Sequence, residues 1–403
     1  MKVLLLHSSF WPMPGGAERT MRQQAEELAL LGHEVTVVCG EGSPSRSSYK
    51  VVNLPELAST FPLLLRLRKV LDNGQTDGNL TQYTRLLTEK LTPFVQAADL
   101  VITHGALTTH FNLSLTAALR PMADTKPFLA WAHDFTPTNP DYSLPFTDRM
   151  PWALMFQGHP KVTYIAPSEL RRMELAETFH FEPHAIPIIP YAIDIEALYG
   201  VEPPLSEWLR AKRILEKDIV FYMPGSLSQR KNLEFACQIL TTVREGGLDP
   251  ALVLTAPTDP AAIAANPYLN YAKFLPTQMG VGDAVYFIAD DIPVNETIWR
   301  QLLQLCDVVL NTSRYEAFGY IRFEAALTRT SCWTMELPAY SEIPCPRHRL
   351  IPSTAAAFRE AQALAQTPDF VARKTLQREF SPFRIYSEKV DPLLTTLLAT
   401  HSP

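Results

Sequence analysis

The opening residues constrain the fold more tightly than any other stretch of the chain. An apolar run from Val3 to Leu6 leads into the turn FWPMPGG, an amphipathic segment from Ala17 to Leu31, Gly32, and a second apolar run from Val35 to Val38. Short apolar runs bounded by turn residues suit strands buried on both faces, and the segment between them repeats its apolar positions at helical spacing. This is one strand–helix–strand unit, with Gly32 where a helix stop belongs. Further buried strands are expected at Leu100–Thr103, Phe128–Trp131, Val162–Ala166 and Ile186–Ile189, with helix-length segments between them. Such alternation implies a mostly parallel sheet covered by helices, an α/β fold.

The pattern breaks at YAIDIEALYGVEPPLSEW, a polar, Pro-interrupted stretch, and then resumes. Strands are expected at Ile219–Met223, Ala251–Thr255, Val285–Ile288 and Val308–Asn311, and helices at Leu233–Arg244 and Glu296–Leu305. A chain of 403 residues is long enough for two domains. The expected division is 1–195, 196–380, and a C-terminal helix at 381–403 that can pack back on the first domain. Segment 258–282, with several prolines, reads as loop. Two open sheets facing a central cleft would gather ligands at the carboxyl ends of their strands.

Composition narrows the function classes. With 46% hydrophobic residues, each half can bury an ordinary core. The 36 basic and 42 acidic residues are mixed along the chain, so nucleic acid is not an expected partner. The cysteines Cys39, Cys237, Cys306, Cys332 and Cys345 are scattered, odd in number and without CxxC spacing, which points away from zinc or a disulfide framework and toward a reducing, cytoplasmic setting. The run after Met1 meets His7 too early for a signal peptide and reads as a strand. No stretch approaches the roughly 18 apolar residues of a spanning helix, so membrane contact is peripheral at most. FPLLLRLRKVL, residues 61–71, could make such a contact, or lie on its own domain with its cations snorkelling.

Chemistry concentrates in SRYEAFGYIRFEAALTR, residues 313–329, where Glu316 and Glu324 flank Phe318-Gly319. A helix over Tyr320–Leu327 would present free N–H groups at Gly319, where an anion can approach the amides of Phe318, Gly319 and Tyr320 without meeting a side chain. The two carboxylates would flank that anion and accept hydrogen bonds from neighbouring hydroxyls. A nucleotide-sugar has that layout of ribose, diphosphate and sugar. Acids placed only for the helix dipole would account for Glu316 but not for Gly319. In PGSLSQRKNLEF, Gly225, Arg230 and Lys231 lie at a strand-to-helix turn suited to a diphosphate, although a basic pair there can also be a solvated surface feature. In PGGAER, Gly15 and Gly16 open the first helix, either for a tight turn or for close approach of a ligand. WAHDFTPTNPDY places His133 and Asp134 just past a strand.

These motifs, in this order, resemble those of retaining glycosyltransferases of the GT-B fold, the large family that includes sucrose synthase-like and mannosyltransferase-like members. The resemblance runs through PGGAERTMRQQAEELALLGHEVTVV, TYIAPSELRRMEL, IIPYAIDIEAL, PGSLSQRKNL and EAFGYIRFE. It implies two Rossmann-like domains, with Glu324 on the nucleotide ribose and Glu316 on the donor sugar. It also implies Ala317, Phe318, Gly319 and Tyr320 lining the donor site, Lys231 on the diphosphate, His133 on the reacting sugar, and Gly15 and Gly16 admitting phosphate and acceptor. No catalytic metal and no cofactor beyond the nucleotide-sugar co-substrate, UDP- or GDP-linked, are implied. Where the family usually has Arg after the glycine of the phosphate turn, this chain has Ser226, and Arg230 is the candidate substitute. After Glu324, Arg329 and Trp333 replace small residues. The expected reaction is retaining transfer of a hexose to an acceptor hydroxyl whose identity the sequence leaves open. An epimerase of the same fold and a catalytically weakened nucleotide-sugar-binding subunit are the alternatives.

Overall fold

A computed structural model of the chain describes residues 1–44, 48–256, 264, 266–342 and 344–401. They form two compact units, Met1–Ile193 with Phe380–Pro403, and Asp194–Glu379.

Unit 1 is built on a six-stranded, all-parallel sheet: β1 (Lys2–His7), β2 (Glu34–Cys39), β3 (Lys50–Asn53), β4 (Leu100–His104), β5 (Phe128–Trp131) and β6 (Val162–Ile165), in the order β3-β2-β1-β4-β5-β6. Strand alternation sends Leu4 and Leu6 of β1 into one core and Val3 and Leu5 into the other, which is why that run is apolar throughout. The second core is completed by the chain's last segment, which contributes Ile385, Tyr386, Val390 and Leu394. The Tyr386 hydroxyl donates to the Thr20 carbonyl at 3.3 Å, and His33 Nε2 lies 2.7 Å from Asp391 Oδ1, fixing that segment against the first helix and its turn.

Ile186–Ile189 is not a strand. It makes a single bridge, Ala166 to Ile188, because Pro187 and Pro190 bring no N–H to a ladder. The basic, leucine-rich stretch forms a helix over Pro62–Asp72 that buries Leu64, Leu67 and Leu71 in its own unit. Arg68 Nε is spent on the Phe111 carbonyl at 2.7 Å. Among the described residues no helix is long and apolar enough to cross a membrane.

Unit 2 repeats the architecture with β7 (Ile219–Met223), β8 (Pro250–Leu254), β9 (Val285–Phe287), β10 (Val308–Asn311), β11 (Ser331–Thr334) and β12 (His348–Leu350), again all parallel, in the order β12-β11-β10-β7-β8-β9. Both units are Rossmann-like. The segment expected to be loop contains a helix, Tyr268–Gln278, which buries Leu269, Ala272 and Leu275 and tolerates Pro276 within it. Of that segment, residues 258–263 and 265 lie outside the described residues. At the start of β10, the fully buried Asp307 carboxylate accepts from the Val220 amide at 2.7 Å and pairs with Lys374 at 2.7 Å and with Arg373, tying the helix Pro368–Glu379 to the sheet.

Candidate functional site

The donor-type motifs meet at the carboxyl end of β7 and β10. After β7 the chain turns through Gly225, whose φ of +95° an L side chain rarely adopts. A short 3₁₀ turn at Gln229–Lys231 follows, ended by Asn232 in the left-handed region. After β10 the chain runs beside that turn. The Thr312 hydroxyl donates to the carbonyl of Lys231 at 2.7 Å, the Arg314 amide to that of Arg230 at 2.8 Å, and the Arg314 guanidinium to Asn232 Oδ1 at 2.9 Å.

This zipper brings three donors onto one oxygen of Glu316. Oε1 lies 2.7 Å from Lys231 Nζ, 3.0 Å from Arg230 Nη1 and 2.9 Å from Ser313 Oγ. Ser313 Oγ also lies 2.7 Å from Asn311 Oδ1, so its one proton is shared between the two oxygens. Burial pushes the Glu316 carboxyl up, but the hydrogen bond and charge of Lys231, with Ser313 and Arg230, outweigh it and hold the group below the usual carboxylate range. Glu316 is therefore ionised at neutral pH, and its second oxygen takes no hydrogen bond among the described residues.

Next comes the helix Tyr320–Leu327, entered through Gly319 at φ +76° with no side-chain cap. Its first amides have no acceptor within the helix. Arg322 is wholly buried beneath this turn, with Nη2 donating to the Phe318 carbonyl at 3.2 Å and its guanidinium 4.0 Å from the Tyr340 ring. Tyr340 accepts from Asn311 Nδ2 at 3.0 Å, so the glycine turn rests on a braced floor. Lys231, Glu316, Ala317, Phe318, Gly319, Tyr320 and Glu324 line one cavity of about 360 Å³, together with Gly225 and Trp299. Trp299 and Glu324 also border a neighbouring hollow of about 590 Å³. The Glu324 carboxylate makes no hydrogen bond among the described residues.

Unit 1 carries a second cluster at the same edge of its own sheet. His7 ends β1, His104 ends β4, and His133 follows β5. His104 Nδ1 lies 2.7 Å from His133 Nε2, and His7 Nδ1 donates to the His104 carbonyl at 2.7 Å. Burial, reinforced by the neighbouring imidazoles, holds His104 well below its ordinary pKa. The same burial, with His7 adding and Glu18 opposing, brings His133 down to about 3. Burial also raises the Glu18 carboxyl, but His7, 3.7 Å away, and the Ser9 hydroxyl at 2.6 Å prevail and bring it to about 2.

Residues 14–197 match Glycosyltransferase Family 4. The match lies almost wholly within unit 1. No curated protein sequence matches the chain. Among solved structures it is similar to WaaG, a glycosyltransferase involved in lipopolysaccharide biosynthesis, at 16% identity and a TM-score of 0.34 over 99% of this chain and 98% of that one. HepE of Anabaena shows 16% identity and a TM-score of 0.36 over 98% and 100%. Sucrose-phosphate synthase from Thermosynechococcus elongatus shows 15% and 0.39 over 99% and 100%.

Several residues stand differently from what their sequence context suggests. The Gly225 amide donates to Thr255 Oγ1 at 2.8 Å, so it is already engaged. Arg230 faces Glu316 and the Tyr315 carbonyl, and it does not line the cavity. At Gly15 a Cβ would fall 1.9 Å from Glu18 Oε2, so that glycine makes room for Glu18, while a Cβ at Gly16 would meet nothing within 4 Å. Asp134 is consumed by its own loop through Asn139, Tyr142 and the Phe135 amide. Sequence reasoning missed His7, Glu18, His104, Tyr191, Trp299 and Tyr340. Of these, only the two strand-end histidines, His7 and His104, left a signal that could have been used, since each follows an apolar run at the same sheet edge. Among the described residues no group of three or more His, Cys, Asp or Glu side chains is placed to hold a metal ion.

Proposed function

We propose that this protein is a glycosyltransferase that moves a hexose from a nucleoside diphosphate sugar, UDP- or GDP-linked, to an acceptor hydroxyl, with retention at the anomeric carbon and without a catalytic metal. The observation that carries the reading is one cavity of unit 2, in which an uncapped helix start, a cation-loaded carboxylate and a free carboxylate converge. The helix start and Lys231 suit the diphosphate, which gathers negative charge as its bond to the sugar breaks. The open oxygen of Glu316 suits the sugar hydroxyls, and Glu324 suits the ribose diol. His133, uncharged at neutral pH, is suited to orienting the reacting sugar by hydrogen bonding rather than to acting as a cation. In this reading Glu316 and Glu324 bind hydroxyls rather than attack the anomeric carbon as in a double-displacement glycosidase, and the leaving phosphate itself takes the acceptor proton.

A thermal-shift screen against UDP-, GDP-, ADP- and TDP-sugars tests the donor assignment, since a ligand that binds the folded state stabilises it according to its occupancy. The matching donor should raise the midpoint in the native chain and not in Glu324→Ala. An absence of shift with every sugar nucleotide would remove the proposal.

One observation favours a second reading, a donor-binding subunit of low turnover. Ser226 brings no cation to the phosphate turn, and Arg230 is occupied at Glu316 rather than turned toward the cavity. Donor binding without product across an acceptor panel would decide for it.

A further inference from the structure

Four side chains of unit 1 are joined in series. Gln24, fully buried on the inner face of the helix Gly16–Leu30, places its Oε1 3.1 Å from His104 Nε2. His104 Nδ1 lies 2.7 Å from His133 Nε2, and His133 Nδ1 lies 3.0 Å from the Tyr191 hydroxyl. The rings are also nearly parallel. His104 and His133 are 5.0 Å apart at 20°, and His133 and Tyr191 are 5.5 Å apart at 6°. Trp131 backs His104 at 6.2 Å and 14°.

With Gln24 Oε1 facing His104, proton bookkeeping along this chain has one solution. An amide oxygen only accepts, so His104 carries its proton on Nε2 and presents a lone pair at Nδ1. His133 must then donate from Nε2, which leaves its own Nδ1 as an acceptor for the Tyr191 O–H. A second proton on His104 would set two N–H groups head-on across 2.7 Å, and one on His133 would force the Tyr191 hydroxyl to turn away. The charged or titratable groups that face this pair are His7, which donates to the His104 carbonyl, and Glu18, held by His7 and Ser9. Burial raises the Tyr191 hydroxyl to about 12, so it remains a donor at neutral pH.

We propose that Gln24, His104 and Tyr191 are positioning residues for His133, fixing it as the neutral Nε2–H tautomer with its Nδ1 lone pair capped by the Tyr191 hydroxyl, so that a sugar hydroxyl reaches Nδ1 only by replacing that cap. The last clause rests on the assignment of His133 to the reacting sugar. The tautomer does not.

The test uses the full chain labelled with ¹⁵N-histidine. Native His104 and His133 should each show a bare Nδ1 and a protonated Nε2, with no titration of His133 between about pH 5 and 8. Tyr191→Phe keeps the ring and removes the hydroxyl. The Nδ1 resonance of His133 should move, its pKa should rise, and KM for the sugar nucleotide should fall about three- to tenfold, the worth of one competing hydrogen bond. A merely structural tyrosine would leave KM unchanged or raise it. Gln24→Met, which preserves bulk without an acceptor, should mix the tautomers of both rings. A protonated Nδ1 in native His133, ordinary titration, or an unmoved resonance in Tyr191→Phe would overturn the relay. The expected spectra with an unchanged KM would overturn the replacement step alone. If no sugar nucleotide is turned over, the spectra still decide the relay while the functional reading fails separately.

Discussion

Replacing Gly319 by alanine tests whether the helix start is built around the absence of a side chain. At φ +76° an L residue costs about 1–2 kcal/mol relative to glycine. A Cβ there would also lie 2.7 Å from Tyr340 Cε1, 3.2 Å from its hydroxyl and 3.3 Å from Arg322 Nε. Tyr340 has little room to retreat, being buried, stacked under the Arg322 guanidinium and tied to Asn311. Overpacking of this kind costs about 1–3 kcal/mol. The two contributions together give about 2–5 kcal/mol, which for a unit of this length lowers the unfolding midpoint by roughly 5–15 °C. Because the same turn carries the first amides of the helix, donor affinity should fall at least about tenfold, the equivalent of one displaced charge-assisted hydrogen bond. Differential scanning fluorimetry and calorimetric titration with the matching sugar nucleotide read the two effects. Pairing Gly319→Ala with Tyr340→Leu should restore part of the loss, because the contact contribution disappears while the backbone contribution stays. A midpoint within about 2 °C of native, with donor affinity intact, would show that the turn yields, and the braced-floor argument would fail.

Lys231→Ala removes the shortest contact to Glu316 and a cation of the cavity; turnover should fall about a hundredfold or more while the chain remains folded, as followed by initial rates and circular dichroism. Normal turnover would refute its role. Stability should decline as the pH drops below about 6.5, because unfolded histidines take up protons there while His104 and His133 stay neutral, His133 down to about 3; each contributes a slope of about 1.4 kcal/mol per pH unit, measurable by urea titration at successive pH values. Glu18 works in a lower window, its stabilisation present above about 4.5 and lost as the pH falls toward 2. Asp307→Ala should destabilise unit 2 by about 3–5 kcal/mol in the same assay, since it strands the buried Lys374 beside Arg373.

The strands that sequence reasoning located are those with four or more consecutive apolar residues or nearly so, such as Val3–Leu6 and Ile219–Met223, because a parallel strand covered on both faces must be apolar throughout. β3 and β12 escaped because they are edge strands, where one side of the ladder is unpaired and Lys50, His348 and Arg349 are tolerated. β11 escaped because it mixes Ser331 and Thr334 with Cys332 and Trp333, and only tertiary packing of Trp333 on Phe221, 5.5 Å between centroids, reveals it as buried. At the site, Glu316, Gly319 and Glu324 were legible because their spacing along one turn and helix is local. Tyr191, Tyr340 and Trp299 were not, since each meets its partners only through the fold: Tyr191 reaches back 58 positions to His133, and Tyr340 reaches 29 positions to Asn311.

The same locality explains why the basic pair could be found in sequence but not assigned. Arg230 and Lys231 are adjacent in the chain, yet the 3₁₀ turn that carries them aims both at one oxygen of Glu316, from opposite exposures: Arg230 has a side chain 47% exposed and Lys231 one 15% exposed. Two cations against one carboxylate leave this corner of unit 2 net positive even while Glu316 is ionised. In the proposed reading, an arriving diphosphate meets the Arg230–Lys231 pair, half-neutralised by Glu316, and the uncapped helix start together. The exposed member of the pair is the one that salt should screen, and the buried one should act with little salt dependence. Donor affinity in Arg230→Met should then lose most of its ionic-strength dependence while keeping the larger part of its magnitude, whereas Lys231→Ala should lose magnitude and keep the dependence. The opposite pattern would place the diphosphate on Arg230 and make it the substitute for the missing cation.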